Sequence, residues 1–222
     1  MRSSELELID RELNDIREVE ENLGEMEWML KFIGIGRGIR RHFRTLRKIS
    51  VRILDVGTGS AWISRMLRDD AARRGMKTRI VALDLSSVML DCARRIDPQG
   101  LEYVLGDARQ LEFESNSFDF TFCSAMLHHM SDAEARQVLR EIDRVTSGTW
   151  VVCDLRRTGL TYFGAQVLTR LISTNRLTRN DGPLSVKRSF TFGEFQGLAR
   201  EMQGVRAESW GPFCHALVCA KR

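Results

Sequence analysis

The sequence predicts an α/β domain, doubly wound about a mostly parallel sheet, behind an N-terminal helical cap. Three observations predict it. From residue 51 onward, short β-rich runs alternate with helical periods, the pattern of parallel strands joined by crossover helices. Several of these runs are apolar almost throughout, as strands covered on both faces must be. The 222 residues suffice for one globular domain plus a helical extension and exclude an array of modules. The expected division is a helical extension or cap over residues 1–48 and the α/β domain over residues 49–222, with a helical lid insert at 156–190.

Five strands read as VRILDVG (51–57), RIVALDL (79–85), LEYVLGDA (101–108), FDFTFCSA (118–125) and TWVVCDL (149–155), with helices near 60–74, 86–96 and 132–145 between them. Thr191 and Glu194 form a capping-box pair that starts a further helix over EFQGLAREM. VRAESW and FCHALVCA then close the sheet as two strands joined through Gly211 and Pro212, giving seven strands with an antiparallel C-terminal strand. Ahead of the sheet, Ile9, Leu13, Ile16 and Leu23 recur at three-to-four spacing behind a Ser4 to Glu7 box, so one or two amphipathic helices are expected there. That segment packs on the domain, pairs with a second copy as a homodimer, or acts as a lid in which Trp28, Met29, Phe32 and Ile33 cover a ligand. GLTYFGAQVLTRLIS, apolar at Leu160, Phe163, Val167, Leu168, Leu171 and Ile172, packs on the core or completes the lid.

Composition narrows the function classes. With 43% hydrophobic and 29% charged residues and three prolines, the chain is of the globular class, and no apolar run reaches about 18 residues. The start is acidic and lacks the apolar stretch of a secretory signal, so a cytoplasmic location is expected. Five scattered cysteines without a CxxC pair argue against a disulfide framework or zinc site, and Cys123, Cys153 and Cys219 read as core residues. The net charge of +4 is local: residues 1–27 are acidic, whereas Arg37, Arg40, Arg41, Arg44, Arg47 and Lys48 crowd one stretch. That stretch reads as a solvated helix face or as a platform for anionic lipid or nucleic acid. Its GxGxG lacks the preceding strand a nucleotide fingerprint requires.

The informative glycines are Gly57 and Gly59 in ILDVGTGSAW, where a strand ends and a helix begins, so that a ligand approaches the backbone closely. A pyrophosphate fingerprint needs a small residue where Trp62 stands and does not favour Asp55 beside an anion. Asp55 suits a cationic head instead. Asp84 ends the second strand, where a carboxylate can accept two ribose hydroxyls, and Asp107 ends the third, within reach of an adenine amine.

With these residues in place, the block 53–155 resembles the class I S-adenosylmethionine-dependent methyltransferases, a Rossmann-like family, and particularly its small-molecule branch acting on quinones and polyketides. The resemblance rests on ILDVGTGSA, VALDLSSVML, YVLGDARQLEFESNSFDFTFCSAMLHHM and LREIDRVTSGTWVVCDL, in the family's order and spacing over nearly half the chain. It implies that Asp55, Gly57 and Gly59 hold the methionine moiety of S-adenosylmethionine, Asp84 the ribose, Asp107 with Ala108 the adenine, with Leu85 packed on the adenine and Ser124 near the amino group. Ala61 departs from the pattern by replacing a frequent third glycine.

Methyl transfer from a sulfonium is an in-line displacement that needs alignment and exclusion of water rather than an obligatory catalytic side chain. Moving a phenol proton fully to a histidine is uphill by roughly 5 kcal/mol in water, so a base helps only as the methyl transfers or where the site lowers the acceptor's pKa. His128 and His129, after the fourth strand, are the candidates for a catalytic or acceptor-positioning role. His215, Tyr162 and Arg156 are weaker options, His42 carries no signal, and Asp119 reads as a turn residue. CSAMLHH in place of an Asn/Asp-Pro-Pro-aromatic motif argues against a nucleobase amine as acceptor. Asp154-Leu155, without the Asp-Asn pair of metal-dependent catechol methyltransferases, makes metal dependence unexpected. The expected acceptor is a small, largely apolar hydroxylated molecule such as a phenol, quinone precursor or polyketide, methylated on oxygen or carbon. The alternatives are an RNA or lipid-headgroup methyltransferase using residues 37–48, and a non-catalytic binding subunit.

Overall fold

The computed structural model describes residues 2–11, 15–98 and 100–221, so Leu13 of the expected periodic set lies outside the described residues. Seven strands form one sheet in the order β3-β2-β1-β4-β5-β7-β6: β1 Ser50–Val56, β2 Lys77–Asp84, β3 Glu102–Leu105, β4 Phe118–Ser124, β5 Thr146–Leu155, β6 Val205–Ser209 and β7 Cys214–Ala220. The pairs among β1 to β5 are parallel, and β7 runs antiparallel to β5 and to β6. The expected fold class is therefore the observed one. The third strand is shorter than expected and the fifth is longer, beginning at Thr146.

Side chains alternate across the pleat, so each central strand feeds two cores. On one face Leu54, Val56, Cys123, Trp150, Val152 and Leu217 pack under α6 (Asp132–Val145) and α9 (Phe192–Arg200). On the other, Ile53, Phe120, Phe122, Val151 and Cys153 pack under α3 (Ile35–Phe43) and α4 (Trp62–Arg73). The expected Thr191–Glu194 capping box is present at the start of α9, and a second, Ser131–Glu134, starts α6. All five cysteines are buried and unpaired. Asp119 accepts from the Arg52 amide at 2.8 Å and pairs with Lys48, the structural role expected of it.

The N-terminal cap contains α1 (Leu8–Arg11), α2 (Ile16–Ile33) and α3. The Ser4 to Glu7 box does not form: residues 2–7 are irregular, Asp15 caps α2, and Glu7 is buried at a site described below. Of the residues expected to form a lid, Trp28 and Phe32 stack on each other and stand 51% and 66% exposed. In the basic stretch, Gly34 ends α2 with φ +89°, while Gly36 and Gly38 let α3 lie against Trp62 and Trp210, where an added Cβ would come within 2.6 and 2.3 Å of a ring atom. Its polar residues are partly paired: Arg41 and His42 with Glu208, Arg44 with Asp70.

Residues 156–190, where a helical lid insert is expected, contain α7 (Gly159–Ile172) and α8 (Arg176–Arg188). α8 continues through Gly182 and Pro183. Asn175 caps it by accepting from the Leu177 and Thr178 amides, and Leu177, Leu184 and Val186 are buried, which outweighs the proline. No described helix is long and apolar enough to cross a membrane.

Candidate functional site

A cavity of about 510 Å³ lies at the carboxyl ends of β1 to β4, roofed by α2 and the segment around Glu7. Its floor is the turn after β1. Gly57 and Gly59 have φ of +71° and +51°, and a Cβ on Gly57 would stand 2.7 Å from Met126, so the turn needs glycine there. The amides of Gly57 and Thr58 donate to Leu83 O at 2.9 and 3.0 Å, and the Gly59 amide donates to Asp84 at 3.0 Å, tying the turn to the end of β2. Ala61, in place of a third glycine, keeps φ +56° at the start of α4, buried under the loop.

Of the residues expected to hold the cofactor, Gly57, Gly59, Asp84, Leu85, Asp107, Ala108 and Ser124 line this cavity. Asp84 accepts from the Gly59 and Ser86 amides, and burial raises its pKa against those bonds. Leu85 presents an apolar surface 63% exposed. Asp107 is held by Arg109, whose hydrogen bonds keep its carboxyl below the usual range. Asp55 is the exception. Its carboxyl is buried beneath the loop, accepts from Thr58 and Ser64 hydroxyls at 2.7 Å each, and is pushed by burial up to about 7; it is not on the cavity wall. Beside the glycine turn the wall also carries Glu27 of α2, which accepts from Ser60 at 3.3 Å and pairs with Lys31 and Arg65.

At the other end stand His128 and His129, on a 3-10 turn over Leu127–His129. Asp154, the end of β5, accepts from the His128 amide at 2.9 Å and lies 2.8 Å from its Nδ1. Burial raises the Asp154 pKa, but the His128 charge and hydrogen bonds outweigh it, so the carboxyl stays ionised. An ionised carboxylate only accepts, so His128 Nδ1 carries a proton directed at Asp154. His129 is held likewise by Asp10 at 2.9 Å, whose pKa falls because hydrogen bonding and charge from His129 overcome burial.

The two Nε2 atoms face the buried carboxyl of Glu7, at 3.6 Å from His128 and 3.8 Å from His129. Burial pushes Glu7 up to about 7. Among the described residues, Glu7, His128 and His129 are the group whose donor atoms, within 4.8 Å of one another, a metal ion could bridge. α8 fixes this end: Ser185 donates to Glu7 at 2.9 Å, Asp181 accepts from the Leu8 and Ile9 amides, and Arg188 donates to the His128 and His129 carbonyls. Arg2 adds a clasp, donating to Met130 O at 2.7 Å with its guanidinium over the Phe190 ring.

Glu7, Glu27, Asp181 and Ser185 were not anticipated. Asp154, which holds His128, did have a visible signal, an acidic residue next to the end of a strand. Three weaker expectations place elsewhere. Tyr162 accepts from Gln166 under Lys187, and Arg156 reaches toward Ser209; neither lines the cavity. His215 is wholly buried against Phe195, with ring centroids 3.8 Å apart, and burial pushes it down to about 4.

Residues 54–153 match the family described as a methyltransferase domain. The chain is 37% identical over 94 residues to the biotin biosynthesis bifunctional protein BioHC of Cellvibrio japonicus, covering 42% of this chain and 17% of that protein. It is 35% identical over 106 residues to the demethylmenaquinone methyltransferase of Thermotoga maritima, covering 47% of this chain and 43% of that one. It thus spans less than half the length of these relatives. Among solved structures, the plantazolicin methyltransferase BpumL in complex with SAH matches with a TM-score of 0.70 at 14% identity, over 93% of this chain and 90% of that one. At that identity the likeness is one of fold.

Proposed function

We propose, for a chain whose residues 54–153 match the family described as a methyltransferase domain, that it transfers the methyl group of S-adenosylmethionine to the hydroxyl of a small, largely apolar acceptor such as a phenol, quinone precursor or polyketide. The observation that carries this reading is one cavity with two unlike ends: a glycine turn with Asp84 and Leu85 at one, and the Asp154-held His128 at the other. The residues present suit the cofactor. The open glycine backbone admits a ligand, Asp84 offers a carboxylate for two ribose hydroxyls, Leu85 offers an apolar face for adenine, and Glu27 offers the charge for an ammonium that Asp55, turned under the loop, does not. When bound, S-adenosylmethionine supplies an electrophilic methyl group on a sulfonium.

The chain's own residues then align and deprotonate. His128 Nε2 accepts the acceptor's proton as the carbon–oxygen bond forms, since complete transfer beforehand is uphill by roughly 5 kcal/mol. Asp154 holds the ring in the tautomer this requires and offsets the charge the ring gains. The Glu7 segment and α2 exclude water above the reacting atoms.

Isothermal titration with S-adenosylmethionine tests the reading. The wild-type chain binds, and Asp84→Ala weakens binding by about 1–3 kcal/mol through lost charge-assisted hydrogen bonds. Absence of binding by the wild-type chain favours a non-catalytic subunit, and an unchanged dissociation constant in the variant removes Asp84 from the ribose.

A further inference from the structure

Three donor atoms converge at the acceptor end of the cavity without bonding one another. Glu7, His128 and His129 each offer one atom, and these lie within 4.8 Å of one another. His128 Nε2 stands 3.6 Å and His129 Nε2 3.8 Å from the Glu7 carboxyl, too far for hydrogen bonds. Ligands about 2.0–2.2 Å from a tetrahedral ion stand roughly 3.4 Å from one another, so a closure of a few tenths of an ångström at these two pairs seats one. The rings are already set for that task. A metal-bound imidazole characteristically turns its other nitrogen to a carboxylate, which orients the ring and strengthens it as a donor. Here both rings do so: His128 Nδ1 lies 2.8 Å from Asp154, and His129 Nδ1 lies 2.9 Å from Asp10. Ser185 donates to Glu7 Oε1 at 2.9 Å and orients the third ligand. The charge suits a cation as well, since Asp10, Asp154 and Asp181 surround the group. Against them stands Arg188, with Nε 3.9 Å from Glu7, but its donors are engaged by the His128 and His129 carbonyls. Glu7 and His128 are buried, and all three residues line the cavity, which gives an ion its way in.

We propose that Glu7, His128 and His129 form a binding site for a zinc-like divalent ion, and that an ion held there stops methyl transfer. Two imidazoles and one carboxylate suit zinc or cobalt(II), whereas magnesium and calcium take oxygen ligands. Three protein ligands leave the fourth position of a tetrahedral ion to water from the cavity. The inhibition rests on the function proposed above: the ion takes the lone pair of His128 Nε2, the atom assigned to receive the acceptor's proton. It also ties the segment before α1, through Glu7, to the turn that carries both histidines. Asp84 and the glycine turn lie at the other end of the cavity, so S-adenosylmethionine binds with the ion in place. Such an ion is a brake and not a cofactor.

Cobalt(II) is the probe, because the four-coordinate ion absorbs visible light strongly and the aqueous ion hardly does. The full chain, freed of metal with EDTA and dialysed, is titrated with cobalt(II) chloride. One ion per chain with a four-coordinate spectrum is expected, displaced by Zn2+ and not by Mg2+. Glu7→Gln and His129→Gln lose the spectrum. Asp10→Asn, which removes a carboxylate from behind a ligand, weakens Zn2+ binding by about 10–100-fold. All three variants bind S-adenosylmethionine as the wild-type chain does, which shows that they fold. In turnover, Zn2+ inhibits the wild-type chain at the concentrations that displace cobalt, and Asp10→Asn needs about 10–100-fold more. A chain without the four-coordinate spectrum, or one that keeps it in both Glu7→Gln and His129→Gln, overturns the site, and displacement by Mg2+ overturns the donor set. Turnover that requires the ion overturns the brake. Cobalt bound through these residues with turnover unimpaired leaves the site standing and overturns His128 as the base on which the inhibition was argued.

Discussion

The two ends of the cavity are built in opposite ways. At the cofactor end, Gly57, Gly59, Asp84 and Leu85 sit at the ends of adjacent parallel strands, and backbone amides hold the carboxylate. Once the strands pair, nothing more is needed to bring these groups together. The acceptor end is assembled from four separate pieces: the segment around Glu7, the turn at His128, the end of β5 and the polar face of α8. Side chains buried against one another hold it. A site on strand ends inherits its geometry from the sheet, whereas one on loops needs partners for each charged group it buries.

If that contrast is right, damage at the acceptor end changes turnover and leaves cofactor affinity alone. His128→Gln lowers kcat by roughly a hundredfold to ten-thousandfold, the range for a lost proton acceptor, with the dissociation constant of S-adenosylmethionine preserved. His129→Gln costs less than about tenfold, because that ring is held by Asp10 near the surface and is partly exposed. A loss of cofactor affinity in His128→Gln shows that the two ends are one unit, and equal turnover in both variants leaves positioning as the only mechanism.

Glu7 sharpens the comparison through pH. Its carboxyl rises from 4.5 to about 7 on folding, so the folded chain keeps a proton that the unfolded chain releases. The associated stabilisation is present below pH 4.5 and is lost as pH climbs through 7, amounting to about 3 kcal/mol. Calorimetric Tm between about pH 5 and about pH 8 therefore falls more for the wild-type chain than for Glu7→Gln, which has no proton to lose. Parallel curves mean that Glu7 is already ionised in the folded chain. The smallest effect is expected from chelation. Excess EDTA does not lower turnover, since the ion proposed at Glu7, His128 and His129 only inhibits; a loss restored by a divalent cation makes that ion a cofactor instead.

Much of the fold was legible because it is written in short-range pattern. Apolar runs marked the buried strands, and Thr191 with Glu194 marked a helix start correctly. Ser4 and Glu7 have the same spacing and mark nothing, since burial of Glu7 among Ser185 and the two imidazoles outcompetes a cap that would satisfy one amide. Gly182 and Pro183 lie inside α8, although neither residue favours a helix interior. The helix persists through them because Leu177, Leu184 and Val186 gain burial on one side while Asp181 and Ser185 find partners on the other.

By itself, then, the amino-acid sequence determined the alternation of strands and helices, the sharp glycine turn and the placing of Asp84 and Asp107 along one rim, since each follows from residues adjacent in the chain. Only the tertiary structure decided which carboxylates face the cavity, turning Asp55 beneath the loop and bringing Glu7 and Glu27 to the wall. The physical reason is that a buried charge takes the orientation its partners allow, and those partners arrive from distant segments that no local period can specify.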